Sequence, residues 1–87
     1  MSNFENLEVW RLSVDLCAEF FRSIDDFSRL QKHFGLKDQM ERAVVSIASN
    51  IAEGAGRRTQ KDFTHFLYIA RWSISELKTQ LIIAGKA

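Results

Sequence analysis

Apolar residues return along this chain at steps of three and four, and three stretches hold that rhythm long enough to predict helices. The first runs from about Leu7 to Phe27 and repeats through Trp10, Val14, Cys17, Phe21 and Ile24. Val9, Leu16, Phe20 and Phe27 widen its stripe to about half the cylinder, whereas a surface helix needs a stripe of about 100°. Helix 1 is therefore expected to meet more than one neighbour. Its other face, Glu8, Arg11, Asp15, Glu19, Arg22 and Asp26, reads as solvated, with Arg11 and Asp15 spaced for an i,i+4 pair. Ser28 to Phe34 reads as a connector and Gly35 as its end.

The second stripe is Leu36, Met40, Ala43, Val44, Ile47 and Ile51. Gly54-Ala55-Gly56 is expected to stop that helix, because glycine accepts the left-handed conformation that closes one. Val45, Ala48 and Ala52 face away from the stripe and are mostly small, so a second helix can approach there. Thr59-Gln60-Lys61-Asp62 approximates a capping box for the third helix. Phe63, Phe66, Leu67, Ala70, Ile74, Leu77, Leu81 and Ala84 follow as its stripe. The helices are placed at about 7–31, 36–54 and 60–84 of a single domain spanning 1–87. The fold class is all-α, an up-down antiparallel helical bundle.

Composition narrows this reading. With 87 residues the chain is one small domain with a marginal core. Proline is absent and glycine occurs four times, which disfavours turn-rich sandwiches and barrels. The single cysteine excludes an internal disulfide framework or a cysteine zinc site. No apolar run approaches the roughly 18–20 residues that span a membrane, and Met1-Ser2-Asn3-Phe4-Glu5 is no signal peptide. The expectation is a cytoplasmic protein with no membrane partner. A net charge of +1 makes any basic surface a local one.

Enzyme chemistry finds little support, and no catalytic residue, metal ligand or cofactor is assigned. The two histidines, His33 and His65, belong to no metal or catalytic spacing, and no phosphate loop or dinucleotide fingerprint is present. Cys17, inside the stripe of helix 1, reads as a small core hydrophobe. Helix 2 carries a polar stripe, Gln39, Arg42, Ser46, Ser49, Asn50 and Glu53, and helix 3 offers Ser73, Glu76 and Gln80 beside its own. These form either a ligand pocket or an inter-helix hydrogen-bond network. The network is favoured because buried polar groups must be paired and no ligand spacing emerges.

Arg57, Arg58 and Lys61 make the loop before helix 3 the basic spot. The outer face of helix 3 continues through His65, Tyr68, Trp72, Ser75 and Thr79, with Arg71 and Lys78 on one flank. Cations interleaved with aromatic rings suit a nucleic-acid surface, through phosphate contacts and base stacking. The same rings suit a subunit contact: Trp72 sits opposite the core stripe, where a large aromatic more often marks an interface. Val45, Ala48, Ala52, His65, Tyr68 and Trp72 are the expected oligomer surface, and Arg57, Arg58, Lys61, Arg71 and Lys78 the expected nucleic-acid contacts.

One stretch is specific. Ser46-Ile47-Ala48-Ser49-Asn50-Ile51-Ala52-Glu53-Gly54, followed by Arg57 or Arg58, resembles the signature of the four-helix-bundle proteins encoded in intervening sequences of bacterial 23S rRNA genes. Phe4 with Leu7-Glu8-Val9-Trp10, Phe34-Gly35-Leu36 with Gln39, and Phe66-Leu67-Tyr68-Ile69-Ala70 with Ser73 and Glu76-Leu77 agree, so the resemblance covers nearly the whole chain. It implies a four-helix bundle that assembles into a homo-oligomeric ring, commonly of five, with rRNA or another nucleic acid as partner. A related branch comprises accessory proteins of diversity-generating retroelements. Asn50, Glu53 and Arg57 or Arg58 carry over as signature positions. Three departures stand out. Ala48 replaces a usual proline, Trp72 replaces a usual glycine, and three helices are present where the family has four. The apolar faces left over are expected to be covered by neighbouring subunits.

Overall fold

The computed structural model describes residues 4–86, apart from the side chains of Ser28 and Arg29. Met1 to Asn3, part of the stretch read above as no signal peptide, lie outside the described residues, as does Ala87. Three helices carry the fold: α1 (Glu8–Ile24), α2 (Phe34–Ala55) and α3 (Gln60–Lys86). Short 3-10 turns at Phe4–Asn6 and Ser28–Lys32 precede α1 and α2. Among the described residues there is no strand, and the body measures 43 × 20 × 15 Å.

Helix 1 stops at Ile24 and does not reach 31. Asp25 and Asp26 follow, and carboxylates oppose the negative end of a helix dipole. The chain then folds back: Leu30 is buried, and Gln31 Nε2 donates to the Asp25 carbonyl at 2.9 Å, satisfying one orphan of the helix end. Lys37 Nζ, 3.2 Å from Asp25 Oδ1, ties this corner to α2. Helix 2 begins two residues before the expected Leu36, so Gly35 lies inside its first turn.

Gly54 ends nothing. Helix 2 runs one residue further, to Ala55, and its closing residue, Gly56, is right-handed with φ −81°. The reason for glycine at 54 is room. A Cβ there would stand 2.7 Å from Phe66 Cβ and 2.9 Å from Phe63 Cδ1. The backbone of α2 thus touches α3 directly at one end of their contact, and Ser46 meets Ser73 further along, which makes the two helices antiparallel.

Helix 2 is the centre. Met40, Ala43, Val44, Ile47 and Ile51 are all buried, between α1 on one side and α3 on the other. Against it α3 buries Ala70, Ser73, Leu77, Gln80 and Ala84. This face is small and polar, and it departs from the expected stripe: Leu67, Ile74 and Leu81 stand 37%, 51% and 48% exposed. Small residues let two helix axes approach, and the larger side chains one step round are then carried to the edge. Helix 1 shows the same shift. Trp10, Ser13, Cys17, Phe20 and Ile24 meet the core, whereas Val14 and Phe21, expected in its stripe, are exposed.

The displaced residues of α3 border an apolar groove and a hollow, whereas Phe21 of α1 lies at a separate depression. Val9, Leu12 and Leu16 of α1, Leu67 and Ile74 of α3, and Ile47 and Ile51 of α2 line an apolar groove of about 330 Å³. A second hollow of about 130 Å³ is lined by Phe20, Ile24, Phe27, Met40 and Leu81. These sets show the helix directions: the start of α1 lies level with the start of α3, and their later turns lie level too, so α1 and α3 run parallel.

Candidate nucleic-acid interface

The basic loop is built by two helix ends. Gly56 N donates to the Ala52 and Glu53 carbonyls, and Arg57 N donates to the Gly54 carbonyl at 3.1 Å. Thr59 then caps α3: its Oγ1 accepts from Asp62 N at 3.1 Å, as the sequence predicts. Two close helix ends therefore hold Arg57 and Arg58 in a short turn beside Lys61 in the first turn of α3, all exposed.

These three cations are not equivalent. Arg57 donates from Nη2 to Glu53 Oε1 at 2.5 Å, and its guanidinium carbon stands 4.8 Å from the centre of the Phe66 ring. It braces the turn against α2 and α3. Among the described residues, Arg58 and Lys61 have no ion-pair partner, and they present free charge at the tip. From Lys61 the outer face of α3 runs through His65, Tyr68 and Trp72, with Tyr68 57% and Trp72 74% exposed. Successive members are three or four residues apart, so this strip extends about 16 Å along one side of the helix. His65 stacks edge-on against Phe66, with centroids 5.3 Å apart.

Arg71 and Lys78 do not join this cluster. Arg71 lines the apolar groove, and Lys78, seven residues on, occupies the same flank of α3. The five expected nucleic-acid residues thus divide into a loop group and a groove-edge pair. Of the expected oligomer residues, Val45 is exposed and lines a shallow depression with Phe21, Glu41, Arg42 and Ser46. Ala48 and Ala52 are half-buried. His65, Tyr68 and Trp72 stand on the outer face of α3. Trp72 points away from α2, so its bulk does not crowd the helix contact within the chain.

The polar stripe contracts to a small knot. Ser73 Oγ donates to Ser46 Oγ at 2.9 Å, and Asn50 Nδ2 donates to Ser46 Oγ at 2.9 Å and to the Ser46 carbonyl at 2.8 Å. Ser73 Oγ also lies 3.2 Å from the Ile69 carbonyl. Arg42 pairs instead with Asp38 at 3.0 Å, and Gln39, Ser49, Glu53 and Glu76 are exposed. Gln80 is buried, with its Oε1 unpartnered. What remains is a hydrogen-bonded pin between α2 and α3, with no opening for a ligand between the two serines. Cys17 packs against the core, and burial pushes its thiol up, away from the reactive thiolate. Among the described residues, no three His, Cys, Asp or Glu side chains gather to hold a metal ion, and no helix is long and apolar enough to cross a membrane.

The Asn50–Ser46 knot, Gly54 against Phe66 and Arg57 over the same ring give the signature stretch a shared role: it seats α2 on α3 and sets the basic turn. The family model described as 23S rRNA-intervening sequence protein matches residues 5–87. The chain belongs to that family. No curated protein and no solved structure matches it. Membership of the intervening-sequence family accounts for a small helical protein whose longest run of family residues makes packing contacts. The signature's Asn50 and Gly54 serve the helix contact, whereas its Ser49 and Glu53 and the free cations beyond it face outward. One contact escaped the sequence reading. Gly54 reads there as a stop, although the aromatic pair Phe63 and Phe66 just across a short turn is the sign of a backbone in close contact.

Proposed function

We propose that this intervening-sequence protein is a non-enzymatic, self-associating helical protein that binds RNA through the turn between α2 and α3. The observation that carries this is the unpaired, exposed pair Arg58 and Lys61, continued along α3 by the exposed rings of His65, Tyr68 and Trp72. The cations engage phosphates and the rings stack on unpaired bases, so single-stranded segments are the preferred target. Arg57 holds the turn in shape while the other two reach the ligand. Repetition of the turn in an assembly raises affinity beyond what a chain of net charge +1 achieves alone.

Fluorescence titration of a labelled single-stranded RNA against salt tests this. Affinity is expected to fall as salt rises, and Arg58→Glu with Lys61→Glu is expected to reduce the logarithmic salt slope by about 2. Trp72→Ala is expected to cost about 1–3 kcal/mol of binding, the usual range for a lost stacking contact. A salt-independent binding constant sinks the reading. RNA retention unchanged by the charge reversals favours a scaffold role, in which Tyr68 and Trp72 dock a protein.

A further inference from the structure

Trp72 is the most exposed large apolar side chain among the described residues, at 74%, and Tyr68, one turn earlier on the same face of α3, stands 57% exposed. Neither joins the core. Aromatic contacts link Phe4 to Trp10, Phe20 to Phe21 and His65 to Phe66, whereas among the described residues Tyr68 and Trp72 touch no ring, including each other's. The Tyr68 hydroxyl and the Trp72 indole N–H have no hydrogen-bond partner among the described residues. Residues four apart on a helix lie about 6 Å apart along its axis, with Cβ atoms about 5–6 Å apart. Two large rings so placed are neighbours, yet these do not meet. Stacked bases are spaced about 3.4 Å apart, so a base held between two rings needs them about 7 Å apart, close to that four-residue rise.

We propose that Tyr68 and Trp72 form a clamp that holds one unpaired base of a single-stranded RNA between their rings. The clamp rests on the RNA reading above and gives the two rings one joint task. The charge beside it selects a nucleic-acid base over an apolar protein side chain. Lys61 lies on the same face, nine residues before the middle of the clamp, which is about 14 Å along the helix or about four stacked nucleotides. Arg58 stands just beyond, exposed and free of any ion pair among the described residues, as is Lys61. Asp62 points about 100° round the helix from Lys61. One turn beyond Trp72 stands the exposed carboxylate of Glu76, which repels phosphate. A strand with a base in the clamp therefore leaves it towards the turn, laying its phosphates on Lys61 and Arg58. A base inside a duplex is already stacked on its neighbours, so the clamp takes its base from a loop, a bulge or a free strand.

Binding of the intact protein to a short, wholly abasic RNA backbone, and to the same backbone with one central adenine, tests the clamp. The single adenine is expected to tighten binding about 5- to 150-fold, the range for one stacked base. A second adenine beside it is expected to add little, because one base fills the clamp. Tyr68→Ala and Trp72→Ala are each expected to remove most of the gain, and the double variant to lose far less than the product of the two singles. Trp72→Phe is expected to keep most of it, and unchanged urea unfolding of Trp72→Ala shows that the fold is intact. Equal binding of the two oligomers, with a salt slope that still depends on Arg58 and Lys61, overturns the clamp and leaves RNA binding through phosphates standing. Losses that multiply in the double variant also overturn it, since they mark two independent stacking platforms. A changed sedimentation of RNA-free Trp72→Ala assigns the rings to a contact between copies and overturns it too. No salt-dependent binding of either oligomer overturns both the clamp and the RNA reading.

Discussion

Helix 3 meets its surroundings on two sides, and the two are built in opposite ways. Towards α2 it presents Ala70, Ser73, Leu77, Gln80 and Ala84, mostly small or polar, and these are buried. Towards α1 it presents Leu67, Ile74 and Leu81, large and apolar, and these are substantially exposed. Hydrophobicity alone ranks the two sides the wrong way. Burial follows the neighbour: the small side lets α2 come close, pinned by Ser46 on Ser73 and by the bare backbone of Gly54 under Phe66. The leucine side faces a gap. One side holds the chain together, and the other is left open.

The comparison can be broken at several points. The largest effect is expected from Leu77→Ala on the closed side, which removes one of the few large side chains buried there and should cost about 2–5 kcal/mol in urea unfolding, at any protein concentration. Gly54→Val comes next. Its side chain has no room beside Phe66 and Phe63, and the strain should cost about 1–3 kcal/mol, less if the helices slide apart. Ser73→Ala should cost about 0.5–1.5 kcal/mol, and the double variant with Ser46→Ala less than the sum of the two singles, since both remove one hydrogen bond.

The open side should behave differently. Leu16→Ala or Ile74→Ala should change the stability of a dilute sample by less than about 1 kcal/mol, with a loss that grows as protein concentration rises. Concentration-independent losses of several kcal/mol would erase the contrast. The smallest expected effect is at Cys17. Its thiol pKa is raised by burial, so the folded state holds the proton longer than the unfolded one. Stability is then full below the ordinary thiol pKa and falls as pH rises through the folded value. Cys17→Ala should flatten this decline in an alkaline unfolding series.

Much of this was legible before any coordinates. Thr59 announced the start of α3 because a cap works through neighbours three residues away. The stripes of α2 were right because α2 is buried on two sides, and most ways of rotating it hide the same residues. The stripes of α1 and α3 were too broad. A half-cylinder of apolar residues fits several orientations, and periodicity cannot say which part meets a neighbour. Glu53 lies close enough in sequence to Arg57 and Arg58 to suggest a brace for the loop, and the structure gives it to Arg57; only the folded turn adds the Phe66 ring and leaves Arg58 free. The outer face of α1 read as solvated, and Glu8, Arg11, Asp15, Glu19, Arg22 and Asp26 are all exposed; only the pair expected there failed, since Arg11 donates to the Glu5 carbonyl at 2.9 Å and not to Asp15.

The sequence by itself determined three helices, their order, a capped basic turn and membership in the intervening-sequence family. The helices and the cap rest on residues within a few turns of one another, and the family match on a linear pattern that runs over residues 5–87. Tertiary structure decided which faces are buried, why residue 54 is glycine, and which cations are free. Those depend on residues distant in sequence and adjacent in space, and on the axis separation that small side chains permit. The apolar pattern that announced three helices thus contains two kinds of residue, those that fold the chain and those left facing a groove, and only packing separates them.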